Sequence, residues 1–311
     1  MSQPEALLGA HHDRSDDHIG AAIQHKPSTL GRVNRASARH RMRRDLHRSI
    51  DRSELIVHYQ PVWDLINGEL SGTEALVRWQ HPVLGLLGPD RFIAVAEQSG
   101  FIAELGAWVL DQACADAVNW QQPGHSVSVA VNLSARQFDL QAVDELVESV
   151  LIRTGLAPEC LDLELTESIP LADLGEATVS MRRLRELGVR CSIDDFGTGY
   201  TALSYLSALP VTGLKIDRSF VSTLHQNDTS APIMRAMVAM AADLGLGVVA
   251  EGVEHPHQLE FLQASGCQLA QGFLLGHPMG PTDMHTLVIA GTTRRRNQGP
   301  DKTTVGIGMS I

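Results

Sequence analysis

The sequence predicts an α/β fold closed into a barrel of eight strands, the first of which runs antiparallel to its neighbour. Three observations lead there. Short apolar strands alternate with amphipathic helical stretches from Leu55 to Leu274. The strands number eight, which suits a closed barrel of roughly 250 residues. The first two are joined through Asn67-Gly68, a tight hairpin signal, so that pair is antiparallel.

The elements follow in order. Leu55–Leu65 and Leu70–Trp79 read as the opening strands, and helical periodicity covers 103–122. Ser126–Leu133, SVSVAVNL, is the third strand. A helix at 141–154 precedes strand Leu161–Leu165, and a helix at 175–187 stops at Gly188 before strand Arg190–Asp194. A short helix near 201–208 leads to Gly213–Asp217, and a helix at 231–243 to Gly247–Ala250. The last helix, 256–264, ends near Gly266, and strand Gln268–Leu274 follows. Continuous apolar strands of this kind are buried on both faces, as in a parallel sheet. An open doubly wound sheet is the rival. It would carry a glycine-rich phosphate loop after its first strand, and the sequence has none there. Gly245 and Gly247 read instead as a helix C-cap.

Outside the barrel, assigned to 37–290, the chain changes character. Residues 1–36 mix His, Asp, Ser and Gly without periodicity and read as a disordered leader. His11-His12-Asp13 is taken as exposed polar tail, not a metal site. Ser37–Arg52 is basic, with Met42, Leu46 and Ile50 four apart, which suggests an amphipathic helix with a solvated basic face. Residues 291–311, with Arg294-Arg295-Arg296, read as a disordered tail.

Composition narrows the function. The 311 residues are 43% hydrophobic and 20% charged, enough for one large core. A net charge of −11 argues against binding a nucleic-acid polymer through a basic surface. An anionic ligand would need cations concentrated locally. Cys114, Cys160, Cys191 and Cys267 are widely spaced and read as buried, reduced thiols. No apolar run approaches the roughly 18 residues of a membrane span, and residues 1–20 lack the apolar core of a signal peptide, so the cytoplasm is expected.

The polar residues at strand ends carry the chemistry. Glu74, Asn132, Glu164, Asp194-Asp195, Lys215, Glu251 and Gln271 fall at the exits of successive strands. A barrel brings these ends to one rim. Glu74, Glu164, Asp194, Asp195 and Glu251 cannot all ionise in one cavity against Lys215 alone. Two hard divalent cations, Mg²⁺ or Mn²⁺, would balance them, because the donors are oxygens and the histidines lie elsewhere. His255 and His257, for example, are expected at the surface. A pair of such ions suits cleavage of a phosphoester. Gly197 and Gly199 would let the following loop fold closely over the site.

These stretches resemble the EAL-domain cyclic di-GMP phosphodiesterases over roughly residues 41–290. Glu74-Ala75-Leu76 carries the name motif. HYQPV at 58–62, VNLSARQ at 131–137, LELTES at 163–168, DDFGTGY at 194–200, LKIDRSFV at 214–221, VVAEGVE at 248–254 and QGF at 271–273 fit in order. The resemblance implies a modified TIM (β/α)8 barrel with an antiparallel first strand. It implies that Glu74, Asn132, Glu164 and Asp194 hold one metal, and Asp194, Asp195 and Glu251 a second. Lys215 would orient the attacking water and Gln271 would support the network. Gln60, Arg78 and the Leu76 backbone would grip the substrate, with Pro278 packed on a guanine. Glu167 and Glu254 would support the loops, Glu167 bracing Phe196–Tyr200. The implied reaction is hydrolysis of cyclic di-GMP to linear 5′-pGpG, by a homodimer that either acts alone or answers to a separate sensory or regulatory protein. His277 and Thr212 stand where a basic residue and an Asp are usual.

Two rivals remain. One is a catalytically silent cyclic di-GMP receptor on the same fold, although no expected metal ligand is missing. The other is a Schiff-base enzyme using Lys215, but surrounding acids raise a lysine's pKa, whereas a nucleophilic amine needs it lowered.

Overall fold

The computed structural model describes residues 39–122, 126–166, 174–198, 206, 209–224 and 229–297. The chain divides into units Met1–His40 and Arg41–Ile311, and the second carries the barrel. Among the described residues nine strands form one sheet: β1 (Leu55–Asp64), β2 (Leu70–His81), β3 (Gly85–Leu87), β4 (Ser128–Leu133), β5 (Leu161–Thr166), β6 (Arg190–Phe196), β7 (Gly213–Ile216), β8 (Gly247–Ala250) and β9 (Leu269–Ala270). Their order is β1-β9-β8-β7-β6-β5-β4-β2-β3, and β1 also pairs with β2, so the sheet closes. β3 hangs outside on β2, which leaves eight strands in the barrel. β1 is antiparallel to both of its neighbours, as expected, while the remaining barrel pairs are parallel.

The helices are α1 (residues 39–46), α2 (Ile93–Ser99), α3 (Ile102–Trp120), α4 (Ala135–Leu140), α5 (Val143–Thr154), α6 (Leu174–Leu187), α7 (Arg218–Ser222), α8 (Ser230–Asp243), α9 (Pro256–Ala264) and α10 (Pro281–Asn297). Their stripes follow helical spacing. In α5, Val143, Val147, Val150 and Leu151 are buried, and Gly155 ends the helix with φ 78°. Ser134 starts α4 through a capping box with Gln137. The core between strands and helices is aromatic in places: Tyr59 meets Trp120 edge-on at 4.6 Å and hydrogen-bonds Asp116.

Several boundaries differ from the sequence expectation. Helix α1 stops at residue 46, and residues 47–53 form turns, so Ile50 reaches the core from a turn. β2 runs on to His81 because β1 and β3 both pair with its far end. The last strand is only Leu269–Ala270, shorter than Gln268–Leu274. Past it the chain turns: Leu275 N–H bonds the Gly272 carbonyl, and Gly272 is pressed against Val253. Helix α10 continues through Asn297 into the stretch read as a tail. The two tails beyond 39 and 297, the helix near 201–208 apart from Leu206, Glu167, Gly199 and Tyr200 lie outside the described residues. Among the described residues, no helix is long and apolar enough to cross a membrane. All four cysteines are free and buried, and burial pushes the thiols of Cys114, Cys191 and Cys267 up to about 12, which makes them inert.

Candidate active site

Register and the stagger of the strands together gather the acids. Asn132 is level with Glu164, while Asp194 lies two residues past Ser192, the partner of Glu164, and Glu251 two residues past Val249, the partner of Lys215. Strands tilted around a closed barrel bring such staggered inward-facing residues to one mouth. At its centre is Lys215, 2% exposed. Its Nζ lies 2.7 Å from Glu251 Oε1, 2.8 Å from Glu164 Oε2, 3.2 Å from Asp194 Oδ1 and 3.3 Å from Glu74 Oε2. Gln271 donates Nε2 to Glu74 Oε2 at 2.7 Å and to Glu251 Oε1 at 3.1 Å. Asn132 donates Nδ2 to Glu74 Oε1 at 2.8 Å.

One strand turns two adjacent acids to the same cavity, which a regular strand cannot do, because neighbours point to opposite faces. Asp195 solves this with φ 54°, the left-handed region, and the β6–β7 register shifts between Ile193 and Phe196. Asp tolerates that conformation better than most residues, at a cost of about 1 kcal/mol. The Asp195 N–H also bonds Asp194 Oδ1 at 2.9 Å. Gly197 follows at φ 98°, and a side chain there would begin 2.6 Å from Phe220.

Electrostatics divides the acids. Burial pushes Glu74 up, but Lys215 and the amides of Gln271 and Asn132 outweigh it and hold the carboxyl below its ordinary value. Burial raises Glu164 well above the usual range, and Lys215 only partly offsets this. Burial lifts Glu251 to about 8. Asp195 is raised by burial, then by Asp194 and Asp217. Burial disfavours the Lys215 ammonium, yet Glu164, Glu74, Glu251 and Asp194 together push its pKa well up. A permanently charged lysine is no Schiff-base nucleophile.

One ammonium against this many carboxylates is an incomplete balance. Oxygens of Glu74, Glu164 and Asp194 lie within 4.8 Å of one another, as do those of Asp194, Asp195 and Glu251. Asp194 belongs to both groups. An all-oxygen donor set of this kind fits hard divalent cations. The Gln271 Oε1 is buried and unpartnered among the described residues, so a further donor or cation has a place to bind.

Other expected residues lie around this centre. Leu76 and Arg78 continue β2 above Glu74, both half-buried, and Arg78 Nη1 bonds the Val77 carbonyl. Gln60 is paired with Glu74 across β1–β2, but its Nε2 is committed to the Gly276 carbonyl at 3.1 Å. Trp63 Nε1 holds the Leu275 carbonyl, and Tyr59 exchanges backbone bonds with Met279. These bonds tie down the segment bearing Pro278. Exposed His277 stacks on Phe273 at 4.4 Å. Glu254 is exposed, and its N–H is capped by Gln258 Oε1. His255 and His257 are exposed, as expected. Thr212 bonds the backbone of Cys191 in both directions, a packing role. Sequence reading missed Asp162, which is half-buried two residues before Glu164 on the same strand and accepts from Ser192 Oγ at 2.9 Å. The two-residue step from Glu164 was its signal.

The family model for the EAL domain matches residues 43–278. The chain belongs to the EAL domain family. It is 46% identical over 236 residues to the bifunctional diguanylate cyclase/cyclic di-GMP phosphodiesterase MucR of Pseudomonas aeruginosa, covering 76% of this chain and 34% of MucR. It is 44% identical over 246 residues to the cyclic di-GMP phosphodiesterase NbdA of the same organism, covering 79% of this chain and 31% of NbdA. This EAL chain thus spans about a third of these relatives' length. Among solved structures, the PaMucR phosphodiesterase in complex with c-di-GMP superimposes with a TM-score of 0.75 at 44% identity, over 78% of this chain and 99% of that one.

Proposed function

We propose that this EAL domain is a metal-dependent phosphodiesterase that hydrolyses cyclic di-GMP to linear 5′-pGpG. The observation that carries it is the pair of carboxylate triads sharing Asp194 around Lys215. Similarity to cyclic di-GMP phosphodiesterases supports the substrate.

Glu74, Glu164 and Asp194 would hold one cation, with the Asn132 amide oxygen at hand, and Asp194, Asp195 and Glu251 the other. When bound, two such ions polarise phosphoryl oxygens and lower the pKa of water. The remaining work belongs to the chain. Lys215 keeps Glu164 and Glu251 aimed inward and offers Nζ donors to the water or the phosphoryl group. Gln271 braces Glu74 against Glu251. Arg78 supplies a guanidinium to a phosphate, a geometry suited to its fork of donors. Gln60 contributes by ordering the segment that carries Pro278. The low exposure of Glu74, Glu164 and Lys215 keeps water from screening these charges.

Purified protein with Mg²⁺ or Mn²⁺ should convert cyclic di-GMP to pGpG, followed chromatographically. Glu74→Ala should lose at least a thousandfold in kcat, because it removes a donor of one triad and a partner of Lys215. Binding without turnover by the unaltered protein would instead establish the silent receptor. A homodimer, a separate regulatory partner and a cytoplasmic location belong to the same proposal. Sedimentation showing only monomer, with metal and nucleotide present, would remove the dimer.

A further inference from the structure

From Leu76 onward β2 no longer pairs with β4, whose last partner is Ala75 opposite Val131. The β1–β2 ribbon therefore continues past the end of that pairing. Its paired residues Gln60 and Glu74, His58 and Leu76, and Ile56 and Arg78 alternate onto one face. Glu74 reaches Lys215 inside the barrel, so this is the inner face. The opposite face, Leu55, Val57 and Tyr59 with Ala75, Val77 and Trp79, is buried in the core.

Two nitrogen-bearing side chains on that inner face have donors to spare. His58 is half-buried, and among the described residues its side chain makes no hydrogen bond or ion pair. Arg78 is half-buried, makes no ion pair among the described residues, and uses one nitrogen on the Val77 carbonyl. They are diagonal neighbours across the ribbon, roughly 7–8 Å apart at Cα. Unsatisfied donors side by side on a sheltered face call for an acceptor that can bridge them. A phosphate diester, with two non-bridging oxygens sharing one negative charge, meets both.

We propose that His58 is a substrate-binding residue that donates a ring N–H to the phosphate gripped by Arg78. The assignment rests on the function proposed above. Burial and the positive Arg78 hold the His58 pKa below its ordinary value, so the free imidazole is neutral and offers one N–H and one acceptor nitrogen. Ile56 and Leu76 flank it with apolar surface and exclude water from the bond.

The test is steady-state kinetics of His58→Ala and His58→Gln with cyclic di-GMP, alongside imidazole NMR. Loss of one hydrogen bond to an anion should raise KM about tenfold in the alanine variant and leave kcat within about twofold. Glutamine, which retains a donor, should recover part of the loss. The His58 ring signals should move on addition of cyclic di-GMP, and melting temperatures should stay unchanged. An unchanged KM in His58→Ala, with normal turnover by the unaltered protein, would overturn the assignment and leave the hydrolase reading intact. If the unaltered protein binds without turning over, the hydrolase reading fails. Calorimetric affinity then decides His58 by the same tenfold criterion.

Discussion

Lys215 is the residue on which the metal-free site depends. Its ammonium lies within 3.3 Å of four carboxylates. Lys215→Met should destabilise the metal-free protein by about 3–5 kcal/mol, since it leaves buried acids without their cation. Urea unfolding measures this, and added Mg²⁺ should restore much of the loss without restoring turnover. Glu251 gives the pH dependence. Its folded pKa, about 8, lies above the ordinary 4.5, so the folded state binds more protons between those values. Raising the pH through that window therefore destabilises the metal-free protein. Glu164 and Asp195 are shifted the same way, and Glu74 the opposite way but below its ordinary value. Metal binding must release the retained protons. The melting-temperature rise caused by Mg²⁺ should consequently grow from about pH 5 to about pH 8, as thermal melts across that range would show.

At the scale of elements, the mouth is set by departures from regular strand geometry. The left-handed Asp195 in β6 brings two adjacent acids to the same mouth, Asp194 buried and Asp195 exposed at its rim. After β9 the chain folds back at Gly272, where a side chain would begin 2.2 Å from the Val253 backbone N and O. Backbone cannot yield as a flexible side chain does, so Gly272→Ala should cost about 2–4 kcal/mol and drag Gln271 off Glu74 and Glu251. A variant that melts normally with unaltered kcat would contradict this account. The free turn is held from the other side by Gln60 and Trp63 of β1. The antiparallel first strand thus has a structural use: it runs back along the loop of the last strand and fastens it.

At the scale of the molecule, eight strands close because β1 pairs with both β2 and β9. Closure leaves no open edge within the barrel and concentrates the acids at one mouth. The self-contained core from Leu46 to Val288 predicts that a chain cut to residues 39–297 keeps a single cooperative melt near that of the full chain. A loss of more than a few degrees would show that the leader or the tail contributes to the fold.

Sequence by itself determined the barrel, the strand order of its acids and the hard-oxygen character of the site. Alternating apolar strands and helices have few closed solutions, and closure carries every strand end to one rim. Glu74, Glu164, Asp194, Lys215 and Glu251 were legible for that reason, and the structure brings them together. Tertiary structure alone decided the rest. The reversal at Asp195 depends on strain that surrounding packing must hold, and local propensity does not encode it. The partner of Asp162, Ser192 Oγ, came into view only with β6 laid beside β5. The bond from Gln60 to Gly276 joins residues 216 apart, a distance over which no local pattern carries information. His58 gained meaning only when β1 was laid against Arg78, because a donor's lack of partners is a property of what surrounds it in space.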